Sequence, residues 1–424
     1  MQSTTRGRAS GLKLPALILL FFTVFQVFGH SHWMISNDSY RYARSTLQIL
    51  GEPKAKAQQD ALKAFCSSRA HRNYTEGVAS LDTFQEPEPH AQFFQNCMGQ
   101  AKNGALSPNQ PRYDRIFETR PGYPLLLAPA VAAFGVLRGM WLMALLMTLL
   151  SAGLVYRIAR EAGLAVPAAG VGMAAFLLSP LCDASDGSMG GLTEGPAIAT
   201  TLAVVLGGLW LIRGRVALGA VVTVLGYLVL CLTKYSTGMM LAGAFAAVGV
   251  LLAVIRPELR KWQLHAFTGI SALTVLGVSA ATHLWQLPGM NETLQDTFAN
   301  HFTQPDVPNT TSLLLRLNGV YWQHWLMAEG YSSFYLPLLV VTCWIFVRLR
   351  GRAPVLLWLC LGIWLVGMAA AVAHPVVDQG FRLWLPAWLP VPFGLALGAD
   401  HLVRLRDRSG DAQAPAAAPE PVSV

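Results

Sequence analysis

Charge is what this sequence has least of. Asp, Glu, Lys and Arg together make up 13% of its 424 residues, against about 25% in an ordinary soluble chain. A water-covered globular surface cannot be built from so few. Cysteine is scarce too, at six, and neither the cysteines nor the histidines fall into a paired zinc-ligand spacing. There is no glycine-rich phosphate loop ending in Lys-Ser or Lys-Thr, and no basic run interleaved with aromatics. Nucleotide hydrolysis and nucleic-acid binding therefore have no residues to carry them. The formal net charge of +8 reads instead as the basic bias of cytoplasmic membrane loops.

What is present is apolar, with 53% hydrophobic residues and a mean hydropathy of +0.42. A bilayer core of about 30 Å needs roughly 20 such residues per helical crossing. The first run, 14–29, follows Arg6, Arg8 and Lys13, so residues 1–13 are expected in the cytoplasm and the run is expected to be an uncleaved first transmembrane helix. Further runs lie at 139–156, 164–181, 193–212, 215–233, 236–255, 266–285, 332–348, 354–373 and 383–403. Arg157/Arg160, Arg213/Arg215, Arg256/Arg260/Lys261, Arg348/Arg350/Arg352 and Arg404/Arg406/Arg408 fall on every second connector, which the positive-inside rule assigns to the cytoplasm.

The expected fold is an all-α polytopic membrane protein with about ten transmembrane helices and both termini inside. In that scheme Gly122–Val136, interrupted by Pro124 and Pro129, is a re-entrant hairpin. Residues 30–121 form a long outer loop with interfacial helices, and 122–408 form the polytopic domain with a second outer loop at 286–331. The Ala/Pro-rich stretch 409–424 is expected to be a disordered cytoplasmic tail. Cys66 and Cys97 are the only cysteines in the first outer segment. An oxidising compartment permits them to pair, although their spacing alone does not decide between a disulfide and two thiols. Cys182, Cys231, Cys343 and Cys360 lie in or near the spans and read as small packing residues.

Ionisable groups beside spans are costly and mark candidate sites. On this topology they gather at the outer surface: Asp38, Glu118, Arg120, Asp183, Asp186, Glu194, Lys234, His283, His374, Asp378 and Arg382. A transport pathway would place polar groups at several depths, including the cytoplasmic half. Asp38 can cap the helix that follows it or act as general base on an acceptor hydroxyl. Arg382 and Lys234 suit a lipid phosphate, the first by a two-pronged contact and the second as a point charge. They could equally pair with Asp378 or Glu194. Glu194 and Asp183 could position a sugar or acceptor, or simply begin a helix. His374 reads as a proton carrier, a metal ligand or an interfacial histidine.

Four segments resemble the GT-C superfamily of integral-membrane glycosyltransferases, which includes protein O-mannosyltransferases and aminoarabinose transferases. They are Asp38-Ser39-Tyr40-Arg41-Tyr42-Ala43, Arg120-Pro121-Gly122-Tyr123-Pro124, Thr193-Glu194-Gly195-Pro196 with Leu232-Thr233-Lys234, and Arg382-Leu383-Trp384-Leu385-Pro386. Asn37 stands before Asp38 where the family often has an acidic pair, and Leu383 stands where it commonly has Tyr. The resemblance implies inverting transfer of a sugar from a polyprenyl-phosphate donor to a glycan, lipid or protein acceptor on the extracytoplasmic face. In that reading Asp38 is the base, and Arg382, Lys234 and Arg120 bind the donor phosphate. Glu194, Asp183, Tyr40, His374 and Asp378 position sugar or acceptor. A divalent metal is a possible cofactor, and the expected location is the bacterial inner membrane, with the endoplasmic reticulum as the alternative. The competing class is a transporter or flippase of a lipid-linked or small solute, which would move its cargo without cleaving it.

Overall fold

The computed structural model describes residues 4–29, 33–79, 88–101, 105–182, 192–332, 334–376 and 382–412, and no strand occurs among them. The outer segment begins after α1 (Thr4–Gly29) and consists of α2 (Asn37–Ile49), α3 (Lys54–Ala79), α4 (His90–Gln100) and α5 (Pro111–Glu118). Then come α6 (Gly122–Glu161), α7 (Val166–Leu177), α8 (Glu194–Ile212), α9 (Val216–Ile255) and α10 (Trp262–Leu284). The chain closes with α11 (Met290–Phe298), α12 (Thr310–Ser332), α13 (Tyr335–Arg348), α14 (Pro354–Ala373) and α15 (Pro390–Ala412).

Five of these helices, α6, α8, α9, α10 and α14, are long and apolar enough to cross a bilayer, with a sixth if α12 and α13, bent by 86°, act as one. Two of the five are 40 residues long, about twice what a bilayer requires. Neither is a straight rod. In α6 the backbone leaves the helical region at Gly135 (φ 75, ψ 173), a conformation that favours a residue without Cβ. A Cβ on Gly139 would lie 2.7 Å from the carbonyl carbon of Ala130, whereas nine residues of continuous helix span about 13 Å. Residues 122–134 therefore fold back on 136–161. The same happens in α9, which breaks at Lys234 (φ −155, ψ 76). A Cβ on Gly238 would meet Cys231 Sγ at 2.5 Å, across seven residues that would span about 10 Å if the helix continued.

Residues 286–331, expected as an outer loop, are mostly helical. α12 accounts for 23 residues and takes in the apolar stretch around Leu313 to Leu317 and Tyr321, with Tyr321 buried.

The outer segment has a core of its own, in which Trp33, Tyr42, Phe65 and Phe117 pack with Tyr123 and Met140 of α6. Cys66 and Cys97 form a disulfide from α3 to α4. Inside this core Arg41 is buried, donating from Nη2 to Pro108 O at 2.6 Å, with its guanidinium 4.3 Å from the centre of the Tyr113 ring. Its Nε lies 3.4 Å from Asp114, and Arg44 donates to the same carboxylate at 3.0 Å. Asp114 thus fastens α5 to α2. A buried carboxylate with two cationic partners resists separation because losing either would leave uncompensated charge.

At the other end of the bundle, Glu161 is ion-paired with Arg157, Arg213 and Arg215. Asp400 accepts from Arg404 at 2.7 Å and from the backbone N–H of Ala165 at 2.8 Å. These groups sit at the C-terminal end of α8, whereas Glu194 opens it. Nineteen residues of helix span about 28 Å, so the two polar ends are separated by roughly one hydrocarbon thickness.

The start of α6 is pressed against the break in α9, because a Cβ on Gly122 would sit 2.7 Å from the backbone carbonyl carbon of Leu232. That contact sets Arg120 beside Lys234. Gly122→Val should cost about 1–3 kcal/mol by overpacking and lower the thermal midpoint in detergent. Gly153→Val, with no atom within 4 Å of its Cβ, should leave the midpoint in place. Equal losses from the two variants would contradict the tight seat.

Candidate functional site

Ser36, rather than Asp38, caps α2. Its hydroxyl accepts from the backbone N–H of Ser39 at 3.2 Å, which satisfies one of the orphan donors at the helix start. The Asp38 carboxylate is left free to face inward, and Arg382 Nη2 donates to its Oδ2 at 3.0 Å. The same Nη2 lies 3.3 Å from Glu194 Oε1, and Lys234 Nζ donates to that oxygen at 3.2 Å. Asp38, Arg382, Glu194 and Lys234 therefore form one chain of alternating charge drawn from four distant parts of the sequence. Glu194 is its deepest member, with 5% of its side chain exposed against 24% for Asp38.

These residues line a cavity of about 570 Å³. Arg120 joins them and donates from Nη1 to Tyr42 OH at 3.4 Å. Among the described residues no carboxylate lies within ion-pair distance of Arg120, and its buried Nε has no hydrogen-bond partner. A half-buried guanidinium with no ion-pair partner carries a desolvation cost that an anion would offset. Arg120 thus stands in the cavity without an ion-pair partner among the described residues. The buried Nε of Arg382 is likewise without a hydrogen-bond partner. Burial works against the charge on Arg382, yet Glu194 and Asp38 outweigh it and raise its pKa above the ordinary arginine value.

Of the residues singled out from sequence, Asp38, Arg120, Glu194, Lys234, His374 and Arg382 all line this cavity. Tyr40 does not. It is buried against Phe65, with ring centres 6.3 Å apart. Tyr42 takes the cavity position, because residues four apart share a helix face with Asp38 and residues two apart do not. Glu118 and His283 are exposed and stand off the cavity. Asp183, Asp186 and Asp378 lie outside the described residues. Burial pushes His374 below the ordinary histidine value, so it is a neutral imidazole near neutral pH, with Nδ1 3.2 Å from Thr297 Oγ1. Among the described residues no three His, Cys, Asp or Glu side chains converge to hold a metal ion.

Three cavity residues carry no signal in the sequence reading: Tyr113, Asp296 and His301. Asp296 and His301 come from the segment around α11, whose short polar pattern resembles any solvated loop. The cavity lining thus carries the cations Arg120, Lys234 and Arg382 together with Asp38, Glu194, Asp296 and His301.

Glu194→Gln removes the carboxylate that Lys234 and Arg382 share. Breaking a buried pair of this kind costs about 3–5 kcal/mol, so the detergent-solubilised protein should lose several degrees of thermal midpoint. Adding Lys234→Met to that variant should restore part of the loss. A Glu194→Gln protein as stable as the original would show that the cations do not depend on it.

The chain matches no family model, and no curated protein or solved structure gives a significant match.

Proposed function

We propose that this chain is a membrane glycosyltransferase of GT-C type. It transfers a sugar, with inversion, from a polyprenyl-phosphate donor to an acceptor at the extracytoplasmic face. The observation that carries this reading is Arg120, a cavity cation without an ion-pair partner among the described residues, while Lys234 and Arg382 are matched to Glu194 and Asp38. A lipid phosphate is an anion held in the bilayer by its tail, and this cavity offers it charge at the edge of the apolar helices.

As the bond from the anomeric carbon to the phosphate oxygen breaks, the electron pair leaves with the phosphate. Cations fixed in a poorly hydrated site stabilise that developing charge better than water does. Single displacement needs no covalent enzyme intermediate. The acceptor loses its proton to a base lining the cavity, for which the sequence points to Asp38.

The finer topology belongs to the same reading. If each half of α9 and the second half of α6 crosses once, the chain makes ten crossings with both termini inside, and 122–134 is the re-entrant hairpin that folds back at Gly135. The basic clusters around Glu161 and Asp400 then face the cytoplasm. The cavity opens to the periplasm of a bacterial inner membrane.

Purified protein given radiolabelled polyprenyl-phosphate sugar should release lipid phosphate and label an acceptor. Movement of intact donor across proteoliposomes without bond cleavage would replace the transferase by a carrier. Arg120→Gln should weaken donor binding roughly tenfold to a hundredfold, the equivalent of losing one or two charged hydrogen bonds. Asp38→Asn should lower transfer sharply while donor binding survives.

A further inference from the structure

The cavity holds a second group suited to proton transfer, and its geometry is more specialised than that of Asp38. Asp296 Oδ1 lies 3.0 Å from His301 Nδ1, and the backbone N–H of His301 donates to the carbonyl of the same Asp296 at 2.8 Å. The imidazole is thus tied through ring and backbone to one residue. A carboxylate on Nδ1 fixes the tautomer that leaves Nε2 as the free acceptor. His301 lines the cavity, and among the described residues its Nε2 has no hydrogen-bond partner.

The local backbone is unusual. Asn300, His301 and Phe302 are three consecutive non-glycine residues with positive φ, at 47°, 56° and 57°. L-residues adopt that region at a cost, and such conformations persist only where the surroundings impose them. Here the surroundings do impose it. Gln295 closes the turn from both sides, donating to Val307 O and accepting from Val307 N, each at 2.9 Å. Arg112 on α5 anchors the same segment through Glu292 at 2.9 Å and Asp306 at 2.6 Å. The His301 ring rests 4.7 Å from that of Tyr113. The segment thus accepts strain in order to hold one imidazole against the cavity, whereas the Asp38 carboxylate is engaged by Arg382.

Resting on the glycosyl-transfer reading, we propose that His301 is the group that takes the acceptor's proton, that Asp296 is its positioning residue, and that Asp38 serves the reaction by holding Arg382. The acceptor oxygen forms its bond to the anomeric carbon while the bond from that carbon to the phosphate oxygen breaks. The electron pair leaves with the lipid phosphate, and the hydroxyl proton moves to His301 Nε2. The resulting imidazolium is stabilised by Asp296 until it releases the proton to outer water.

The groups facing His301 are Asp296 on α11, Tyr113 on α5, and Asp38 and Arg41 on α2. Its hydrogen bond to Asp296 raises its pKa above the ordinary histidine value, with Asp38 acting in the same direction and Arg41 opposing. As a base it works deprotonated, so activity should be lost as pH falls through that raised value and recovered as pH rises past it.

The test is the pH profile of transfer by the purified full chain, measured with radiolabelled polyprenyl-phosphate sugar. Wild type should show an acid limb positioned above about 6.5, the unperturbed histidine value. His301→Gln should lose that limb and lower kcat by about a hundredfold or more, with donor KM unchanged. Asp296→Asn should shift the limb to lower pH with a smaller loss of rate, an effect that a merely structural role would not produce. Asp38→Asn should lower the rate and keep the limb, moved slightly to lower pH by the loss of its negative charge. If His301→Gln retains the wild-type limb and kcat, or if Asp38→Asn is the variant that removes the limb, the assignment to His301 is overturned and the transfer reading stands. If wild type releases no lipid phosphate, the transfer reading fails and this assignment fails with it.

Discussion

Glu194 is buried at the start of α8, and one of its oxygens faces both Lys234 and Arg382. A carboxylate in that position cannot be left alone, and neither can two cations so poorly reached by water. Their mutual neutralisation brings the break in α9 and the segment ahead of α15 to the same point beside α8. Arg382 then extends the chain of charge to Asp38 and so fixes the outer segment to the bundle. The site and the docking of the outer segment are consequences of the same electrostatic constraint. Arg120 is the one cavity arginine that this arrangement leaves without an ion-pair partner among the described residues, and it is the group to which the proposed lipid phosphate would bind.

The apolar helices and the polar groups at their ends could be read from the sequence because burial of charge in a bilayer is so costly that few residues are tolerated there. Asp38, Arg120, Glu194, Lys234 and Arg382 were visible for that reason. Choosing between Tyr40 and Tyr42 required the phase of α2, and the i, i+4 relation to Asp38 was a usable signal that the segment resemblance obscured. Ser36 in the capping role could have been weighed against Asp38 from residue type alone. Asp296 and His301 were hidden for a different reason. They lie in a polar stretch with little periodicity, and their meaning comes from a turn of three consecutive positive φ values that Asn300 and His301 tolerate but Phe302 does not announce.

The helical breaks show the same division. Gly135 is a residue that commonly ends a helix, and the two runs on either side of Lys234 were separable by hydropathy. That each pair folds back tightly depends on the close approaches at Gly139 and Gly238, which are tertiary contacts. α12 escaped notice because Arg316, Asn318, Gln323 and Glu329 interrupt its apolar pattern, while its packing relies on the aromatic contacts among Tyr321, Trp322, Trp325 and Trp384. The outer segment combines the two cases. The loosely helical spacing of its apolar residues suggested surface helices, and its internal core around Arg41 and Asp114 became evident only in three dimensions.

The account stands on the claim that the cavity receives a lipid phosphate beside Arg120. Its most direct test is an electron cryomicroscopy map of the purified protein with bound polyprenyl phosphate. The account predicts phosphate density within hydrogen-bonding reach of Arg120, bordered by Lys234 and Arg382, with the lipid tail leaving between apolar helices. A headgroup bound elsewhere, with the cavity around Arg120 unchanged and empty in the same map, would contradict it.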